Sequence, residues 1–495
     1  MLYDLLRFLL KFQNKLKIYL LIIAVFTGTN FAFAAEKYAV IEKGAKLNIS
    51  DCVKIALKNS PLVKQAHYNY KISKADVGLA KSGFFPTLGV GAGYNYNANK
   101  NDRFSSNMDY YSAEASLNQL IWNFGRTNAR IKMQKFNKIA ALYNFDNVVL
   151  QTIYGVKNYY YAVLAAKATV EINKANVQIN ERNYQRTKAY FNEGIKSKID
   201  LVNAEVNLSD SKVTLVQAEK TYQNALVKLN NAMYVAYTPE YEIESTETFN
   251  FKTREIPVNL QTISDKTDLS KAPDAVADAT LITGVEKLDV IENYKFKPFP
   301  YTFEECVKEA DKNRPDLKAY SATIEAMKQS LLYIKREYYP SITGSVGYGY
   351  RDTSNTNSLN IGIGIKSSVN IMGKKYEIDS GKLQIDLAEN TLEMAKQNMY
   401  FDIQNAYVNM IQYEKEIPLL AVKVKQPREN FELADGRYAV GLGDYIQLQD
   451  AKVNYNNAQH SYVQAVYNYN VSRSDLEKLI ALPQEITVTV EDKKK

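Results

Sequence analysis

Apolar residues recur along the chain with two different periods. Over long stretches they return every seven residues, in the series Leu142, Val149, Val156, Val163, Val170 and Val177; Leu201, Leu208, Leu215, Tyr222 and Leu229; and Leu448, Tyr455, Tyr462, Tyr469 and Leu476. A sustained seven-residue period predicts helices that supercoil around one another through an apolar seam. The first long helix, predicted from about 126 to 190, would be about 100 Å long at 1.5 Å per residue, which a compact globule does not explain.

Between the helices, short stretches alternate apolar and polar residues with period two. The four strands predicted in this way span about 86–98, 108–122, 340–351 and 357–371. In the first strand, Leu88 and Val90 would face one side while Gly89 and Gly91 face the other. Strands of about ten residues have the length of a tilted transmembrane β-strand. A soluble β-sandwich explains the alternation equally well at this point.

The chain is a duplicated unit. Residues 51–61 return as 305–315 with Cys, Val, Lys, Ala, Lys, Asn and Pro in the same places, and 84–88 return as 338–342. Each copy is predicted to contain a short helix, a helix that follows a proline, two strands and a long helical hairpin. The first repeat is predicted at 35–232, with its helical hairpin at 126–232. The second repeat is predicted at 299–481, with its hairpin at 374–481. A partly disordered connector, 233–298, would join the repeats, and a tail, 482–495, would follow them.

Four strands cannot close a barrel in a membrane, because the open edges would leave backbone groups without hydrogen bonds in lipid. If the strands span a membrane, several chains must share one barrel. Three chains would supply twelve strands.

The N-terminus has the features of a secretory signal. Basic residues precede the apolar stretch 18–26, and Ala32-Phe33-Ala34 places small residues before a predicted cleavage after Ala34. Residues 1–34 are therefore expected to be removed during export, and an uncleaved anchor helix is the alternative.

Composition excludes several classes of protein. The mean hydropathy of −0.34 excludes a polytopic helical membrane protein. The net charge of +8 is dispersed, so we expect no nucleic-acid partner. Cys52 and Cys306 occupy equivalent places in the two repeats and are predicted to be buried, unbridged thiols. His67 and His460 have no metal-ligand spacing around them. Without a catalytic or phosphate-binding motif, we expect no enzyme activity, no metal and no cofactor.

The repeated segments resemble the TolC family of outer-membrane efflux proteins. The matching stretches are 47–61, 86–88, 301–317, 340–342, 437–442 and 448–451. The resemblance implies a mixed α+β membrane protein, a homotrimer with a 12-stranded β-barrel in the bacterial outer membrane, four strands per chain. A long α-helical barrel would continue it across the periplasm, with an equatorial collar from the connector and the tail. The implied function is a passive exit duct in tripartite efflux or type I secretion, which docks on a periplasmic adaptor protein and an inner-membrane transporter.

The resemblance also assigns roles at the hairpin tips, 190–201 and 437–448. It implies adaptor contacts at the four tip residues Gly194, Ile195, Gly441 and Leu442. It implies an entrance constriction and gate at Asp450, Gln447, Asp200 and Tyr438, with Asp200 and Tyr438 tying neighbouring helices together. The family's basic partner for this tie falls on Gly443, so the lock is either weakened or rebuilt from Lys196, Lys198 or Arg437. The alternatives are ordinary turn glycines and a solvated carboxylate at Asp450.

Pro418 and Pro427 lie inside the predicted long helix of the second repeat. An interior proline removes a hydrogen bond and kinks a helix, so we predict a hinge for gate opening. A static kink or a helix break is the alternative.

Two other functions fit part of the pattern. A trimeric coiled-coil structural or adhesive surface protein would have the heptads and the signal, but not the paired amphipathic strands or the duplication. A secreted enzyme is disfavoured by the absence of any catalytic cluster. Sequence and resemblance together leave open the cargo, the adaptor and the pump.

Overall fold

The computed structural model describes residues 41–101, 104–235, 240–244, 299–352, 356–367 and 370–482. The predicted signal and its cleavage at Ala34, nearly all of the connector and the C-terminal tail lie outside these residues.

One series of elements occurs twice. The first half consists of β1 (Ala45–Leu47), α1 (Ile49–Asn59), α2 (Pro61–Ser82), β2 (Thr87–Asn101), β3 (Phe104–Trp122), α3 (Arg126–Asn192) and α4 (Lys198–Ala232). The second consists of β4 (Tyr241–Ile243), α5 (Phe303–Asn313), α6 (Pro315–Arg336), β5 (Ser341–Arg351), β6 (Thr356–Lys366), α7 (Ile371–Ala439) and α8 (Tyr445–Leu479).

Local sequence signals set the helix boundaries. Ser60 caps α2 by accepting a hydrogen bond from the Val63 amide, and Pro61 begins that helix, where a missing N–H is harmless. Asn370 caps α7 through the Gly373 amide at 3.0 Å. The predicted fourth strand, about 357–371, is too long: β6 ends at Lys366, and Ile371 is already the first residue of α7.

The four long strands form one antiparallel sheet in the order β2-β3-β5-β6. The register places apolar residues opposite one another, as in Val90–Ala115 and Tyr348–Leu359, and places Gly91 opposite Glu114 in the alternate rows. One face of the sheet is consequently apolar and the other small and polar. The apolar face is uncovered, with Ile363 78% exposed. Within the described chain, β2 and β6 are edge strands that have a partner on one side only.

The helices form the rest of the molecule. α3 packs against α2, α4, α6 and α8, and α7 packs against α6 and α8, so the two halves share one elongated core. Tyr160 is completely buried near the short parallel pair β1–β4, and its hydroxyl donates to the Glu244 carbonyl at 2.6 Å. No helix in the described ranges carries an apolar stretch long enough to cross a membrane.

Two sequence predictions are tested directly by the helical core. Cys52 and Cys306 are free and completely buried, as predicted, and burial raises the pKa of their thiols to about 12 and about 11. Pro418 and Pro427 lie inside α7, which runs without interruption from Ile371 to Ala439, so the helix break is not observed. A hinge at these prolines stays a prediction.

Candidate functional site at the hairpin tips

The two long hairpins, α3–α4 and α7–α8, reverse direction through the same turn. Gly194 and Gly441 have φ values of +71° and +80°, a left-handed conformation that glycine adopts without strain. The Ile195 amide reaches back to the Tyr190 carbonyl at 2.8 Å, and the equivalent bond in the other hairpin closes at 3.0 Å. This pattern is the Schellman stop of a helix. It leaves Ile195 60% exposed at the end of its hairpin.

The second tip exposes the corresponding apolar residue, Leu442, to 73%. The four residues predicted to contact an adaptor are therefore two turn glycines and two outward-pointing apolar side chains. In each turn a partner protein could contact one bulky apolar side chain and the bare backbone of the glycine beside it.

The structure does not join Asp200 to Tyr438 by a hydrogen bond. The Asp200 carboxylate instead accepts from the amide of Ser197 at 3.2 Å and from its hydroxyl at 2.9 Å, which completes a capping box at the start of α4. Asp200 still acts on Tyr438 at a distance: burial raises the pKa of that phenol first, and the nearby carboxylate adds to the rise. Within the chain, Asp200 therefore serves as a local cap, and its role in tying neighbouring helices together stays a prediction.

Tyr438 is a completely buried link between the halves. Its hydroxyl lies 2.7 Å from the hydroxyl of Thr187 on α3. The Thr187 hydroxyl already donates to the Asn183 carbonyl at 2.8 Å, so Tyr438 is the donor of the shared bond. The Tyr190 hydroxyl donates to the Ala439 carbonyl, which adds a second link between the same helices.

Lys196 supplies the positive charge of this link. Its ammonium donates to the Gly443 carbonyl at 3.0 Å and lies 5.1 Å from the centre of the Tyr438 ring, within cation–π distance. Among the three basic residues named from the sequence, Lys196 forms this bridge, while Lys198 and Arg437 make no ion pair in the described part of the chain.

Gly443 cannot carry the basic side chain that the resemblance implies at its position. A Cβ atom built there would lie 2.7 Å from the Tyr438 amide nitrogen and 2.9 Å from the Arg437 carbonyl carbon. Both neighbours are backbone atoms, so the turn itself would have to move. In this conformation the bridging charge has to come from the other hairpin.

An ion pair that was not predicted lies a little further from the tips. Arg186 of α3 donates to Asp435 of α7 at 3.0 Å, and only 21% and 10% of the two side chains are exposed. Burial lowers the pKa of the neighbouring Arg182 guanidinium, and Asp435 partly offsets that effect. The pair is a second cross-link between the hairpins.

The seam between α3 and α8 becomes polar near the tips. Lys452 is 4% exposed and donates to the side-chain oxygen of Asn180, which is also buried. Burial lowers the pKa of Lys452 to about 8. The side-chain nitrogen of Asn183 has no hydrogen-bond partner among the described residues. The sequence contains one signal for this polar seam: Asn173, Asn180 and Thr187 follow one another at intervals of seven residues.

Asp450 and Gln447 are exposed on α8, one turn apart. The neighbouring positions Leu448 and Ala451 are buried, so the two predicted gate residues lie on the face turned away from the chain's own core. Within the described residues, no group of three or more His, Cys, Asp or Glu side chains could hold a metal ion.

The helices at the two sides of the molecule expose apolar stripes. On α4 the exposed residues are Ile199, Val202, Val206, Val213, Val216 and Val227. On α7 they include Tyr376, Leu383, Leu387, Met394, Phe401, Val408, Leu419 and Leu433. These stripes follow helical spacing but find no partner helix among the described residues.

Comparison with known proteins gives one family. The family model described as outer membrane efflux protein matches residues 52–233 and 306–482. The TolC outer membrane protein of Escherichia coli (strain K12) is 22% identical over 443 residues, which cover 88% of this chain and 83% of that protein. The Vibrio cholerae TolC protein is 23% identical over 213 residues, which span 39% of this chain and 43% of the relative.

Solved structures agree in fold. The CusC channel has a TM-score of 0.70 at 12% identity, with 90% of this chain and 96% of that chain covered. The CmeC outer membrane channel of Campylobacter jejuni has a TM-score of 0.68 at 16% identity, with coverage of 91% and 90%. The MtrE outer membrane channel of Neisseria gonorrhoeae, solved in an open state, has a TM-score of 0.64 at 18% identity, with coverage of 90% and 94%.

Proposed function

Because the chain belongs to the outer membrane efflux protein family, we propose that it is the passive exit duct of a tripartite efflux or type I secretion system, with a gated periplasmic entrance. The family is one of outer-membrane channels with a helical portion in the periplasm, and not a family of enzymes. The gate, the trimeric assembly and the partner proteins go beyond family membership and belong to our proposal.

The main observation that supports the proposal is the uncovered apolar face of the sheet. A four-stranded sheet with an exposed row such as Ile361, Ile363 and Ile365 is stable in water only if something covers that row. Lipid can cover it, provided that the edges of β2 and β6 are paired. Three copies joined through these edges would make a closed barrel of twelve strands, with the small polar face lining the lumen.

The apolar stripes on the outer helices support the same assembly. α4 and α7 lie at opposite sides of the chain, and each exposes side chains at coiled-coil spacing. In a trimer, α4 of one copy would pack on α7 of the next and close a helical tube. A coiled-coil surface protein would also use such stripes, but it has no use for the amphipathic sheet.

The tips would form the entrance of this tube. Three copies of Asp450 and Gln447 would surround its axis, where the carboxylates repel one another and attract cations. Ile195 and Leu442, beside Gly194 and Gly441, would contact the periplasmic adaptor, and the adaptor would connect the duct to an inner-membrane transporter. The links of Tyr438 and Lys196 within each copy would hold the entrance closed.

The native mass of the protein extracted with detergent from outer membranes tests the assembly. We expect a trimer that dissociates on heating and conducts ions in a planar bilayer. A soluble monomer would overturn both the barrel and the tube. A trimer without conductance would instead favour the coiled-coil surface protein.

A further inference from the structure

The beginning of α3 carries positive charge that the chain does not neutralise. Residues 126–145 contain five basic residues and no acidic residue. The basic residues are Arg126, Arg130, Lys132, Lys135 and Lys138. Arg130, Lys132 and Lys135 are exposed, and none of the five has an ion pair among the described residues. Arg126 and the residues beside it also lie at the N-terminal end of the helix, where the positive end of the helix dipole destabilises cations.

The second repeat shows that the fold does not require this charge. Residues 371–390, at the equivalent start of α7, contain three basic and four acidic residues. Lys374 is bound between Glu337 and Glu377, and Lys382 lies 3.1 Å from Asp379. The same junction of sheet and helix is therefore neutralised internally in one repeat and left basic in the other.

The basic segment follows directly on an aromatic cluster at the end of the sheet. Trp122 pairs with Ile342 on the neighbouring strand and lies on the apolar face of the sheet. Its ring contacts that of Phe124, and the Phe124 ring stacks on Tyr339 with 5.2 Å between the ring centres. Trp122 and Tyr339 are each 54% exposed. Exposed Trp and Tyr at the end of an apolar face are typical of the boundary between lipid tails and headgroups.

The distances suit a headgroup layer. At 1.5 Å per residue, Lys132 and Lys135 lie about 9 Å and about 14 Å along the axis from the start of α3. The headgroup region is roughly 5–8 Å deep on each side of a bilayer, and charges act over about 8 Å beyond it at physiological salt. Long basic side chains also extend toward the interface. Lys81, exposed at the end of α2, lies at the same level, because β2 begins six residues later.

We propose that the first four turns of α3, together with Lys81, bind anionic phospholipid headgroups of the periplasmic leaflet. This proposal rests on the proposed function, since it needs the sheet to lie in the outer membrane. α3 packs against α2 and α6. Arg130 and Lys132 are both exposed and, being two residues apart, lie about 200° apart around the helix, so basic side chains leave α3 in nearly opposite directions. Either direction, turned outward, presents a cation to the lipid. In a trimer there would be three such surfaces around the duct.

The test uses the full-length protein, delipidated in neutral detergent, and counts bound lipid by native mass spectrometry. Wild-type protein is expected to retain phosphatidylglycerol at least about tenfold better than phosphatidylcholine, because each basic residue near an anionic surface contributes roughly fivefold. Raising the salt concentration should weaken this preference. The triple variant Arg130→Gln, Lys132→Gln and Lys135→Gln should lose most of it.

The matched control is Lys415→Gln, Lys423→Gln and Lys425→Gln, which removes the same charge from exposed positions of α7 far from the sheet. It should keep the preference for phosphatidylglycerol. Equal retention of the two lipids by the wild type, or an unchanged preference in the first triple variant, would overturn the proposal. A change in ion selectivity without a change in lipid retention would also overturn it, since the residues would then line the passage.

Conductance in phosphatidylcholine bilayers separates this proposal from the proposed function. If the first triple variant conducts like the wild type but loses phosphatidylglycerol, both proposals stand. If the wild type neither inserts nor conducts, the proposed function fails, whatever the lipid count.

Discussion

The ammonium of Lys196 donates a hydrogen bond to the carbonyl oxygen of Gly443 at 3.0 Å, and this bond joins the tips of the two hairpins. The same ammonium lies over the ring of Tyr438, which is itself bonded to Thr187. One basic side chain thus contacts both the backbone and the aromatic group that hold the second tip in place.

Lys196→Gln should weaken the closed entrance. A charge-assisted hydrogen bond and a cation–π contact are lost, together on the order of 1–3 kcal/mol. The variant should open more often and for longer in single-channel recordings. Lys198→Gln, which removes an equal charge from an exposed neighbour without a bridge, is the control. Identical recordings from Lys196→Gln and wild type would contradict the proposal that Lys196 holds the entrance closed.

Gly443→Ala should disrupt the second tip, because its new Cβ would meet backbone atoms at 2.7–2.9 Å. The turn must shift, which also displaces the carbonyl that Lys196 binds. We expect increased proteolysis at the tip and increased conductance. Gly436→Ala provides the comparison, since nothing lies within 4 Å of its added methyl group and alanine favours a helix. A Gly443→Ala protein as resistant to protease as Gly436→Ala would refute the steric argument.

The buried Lys452 should make stability depend on pH in the alkaline range. Its pKa is lowered to about 8 in the fold, so the unfolded chain binds the proton more tightly. The resulting destabilisation is complete below pH 8, decreases as the pH rises, and disappears near the ordinary lysine pKa. Lys452→Met should therefore gain on the order of 3 kcal/mol in stability relative to wild type at pH 7, and this gain should be lost as the pH rises to about 10.5.

Denaturant unfolding of both proteins at the two pH values measures this difference. Lys423→Met, at an exposed position of α7, should show no such dependence. If Lys452→Met were less stable than wild type at pH 7, the bond to Asn180 would outweigh the cost of burying the charge.

Pro418→Ala combined with Pro427→Ala should stiffen α7. Each interior proline removes one backbone hydrogen bond and costs about 3 kcal/mol relative to alanine. If the prolines act as a hinge, the double variant should open less often. Gln412→Ala, in the same helix, is the control. Unchanged opening would show that the prolines only set a static shape.

Asp450→Asn should reduce the preference of the duct for cations. In the proposed trimer the substitution removes three carboxylates from the narrowest part of the entrance. The reversal potential in a salt gradient should move toward zero, whereas Asp402→Asn, an exposed carboxylate far from the tips, should leave it in place. Retained selectivity in Asp450→Asn would indicate a solvated surface carboxylate.

Local patterns predicted the elements well. The heptads indicated α3, α4 and α8, and the alternation of residues such as Leu88 and Gly89 indicated the strands of the sheet. These signals are readable because a helix or a strand repeats its environment at a constant interval. The end of β6 was misplaced because Val369 and Ile371 keep the period-two spacing of the apolar residues in the sequence, whereas Ile371 begins a helix.

The contacts at the tips needed the tertiary structure. Lys196 and Gly443 are far apart in sequence, and the same is true of Arg186 and Asp435. Resemblance gave Asp200 a role in tying neighbouring helices together, and within the chain its carboxylate accepts from Ser197. The cap between Ser197 and Asp200 joins residues three apart, so it forms together with the helix. A bond such as that between Lys196 and Gly443 joins two hairpins, so it depends on how their long helices are aligned.

The sequence by itself therefore determined the repeats, the heptad seams and the two faces of the sheet, because each follows from the spacing of neighbouring residues. Only the tertiary structure decided which polar residues enter the seam between α3 and α8. A lysine at a heptad position can lie in water or in the core, and Lys452 is buried because the packing of two distant helices closes over it.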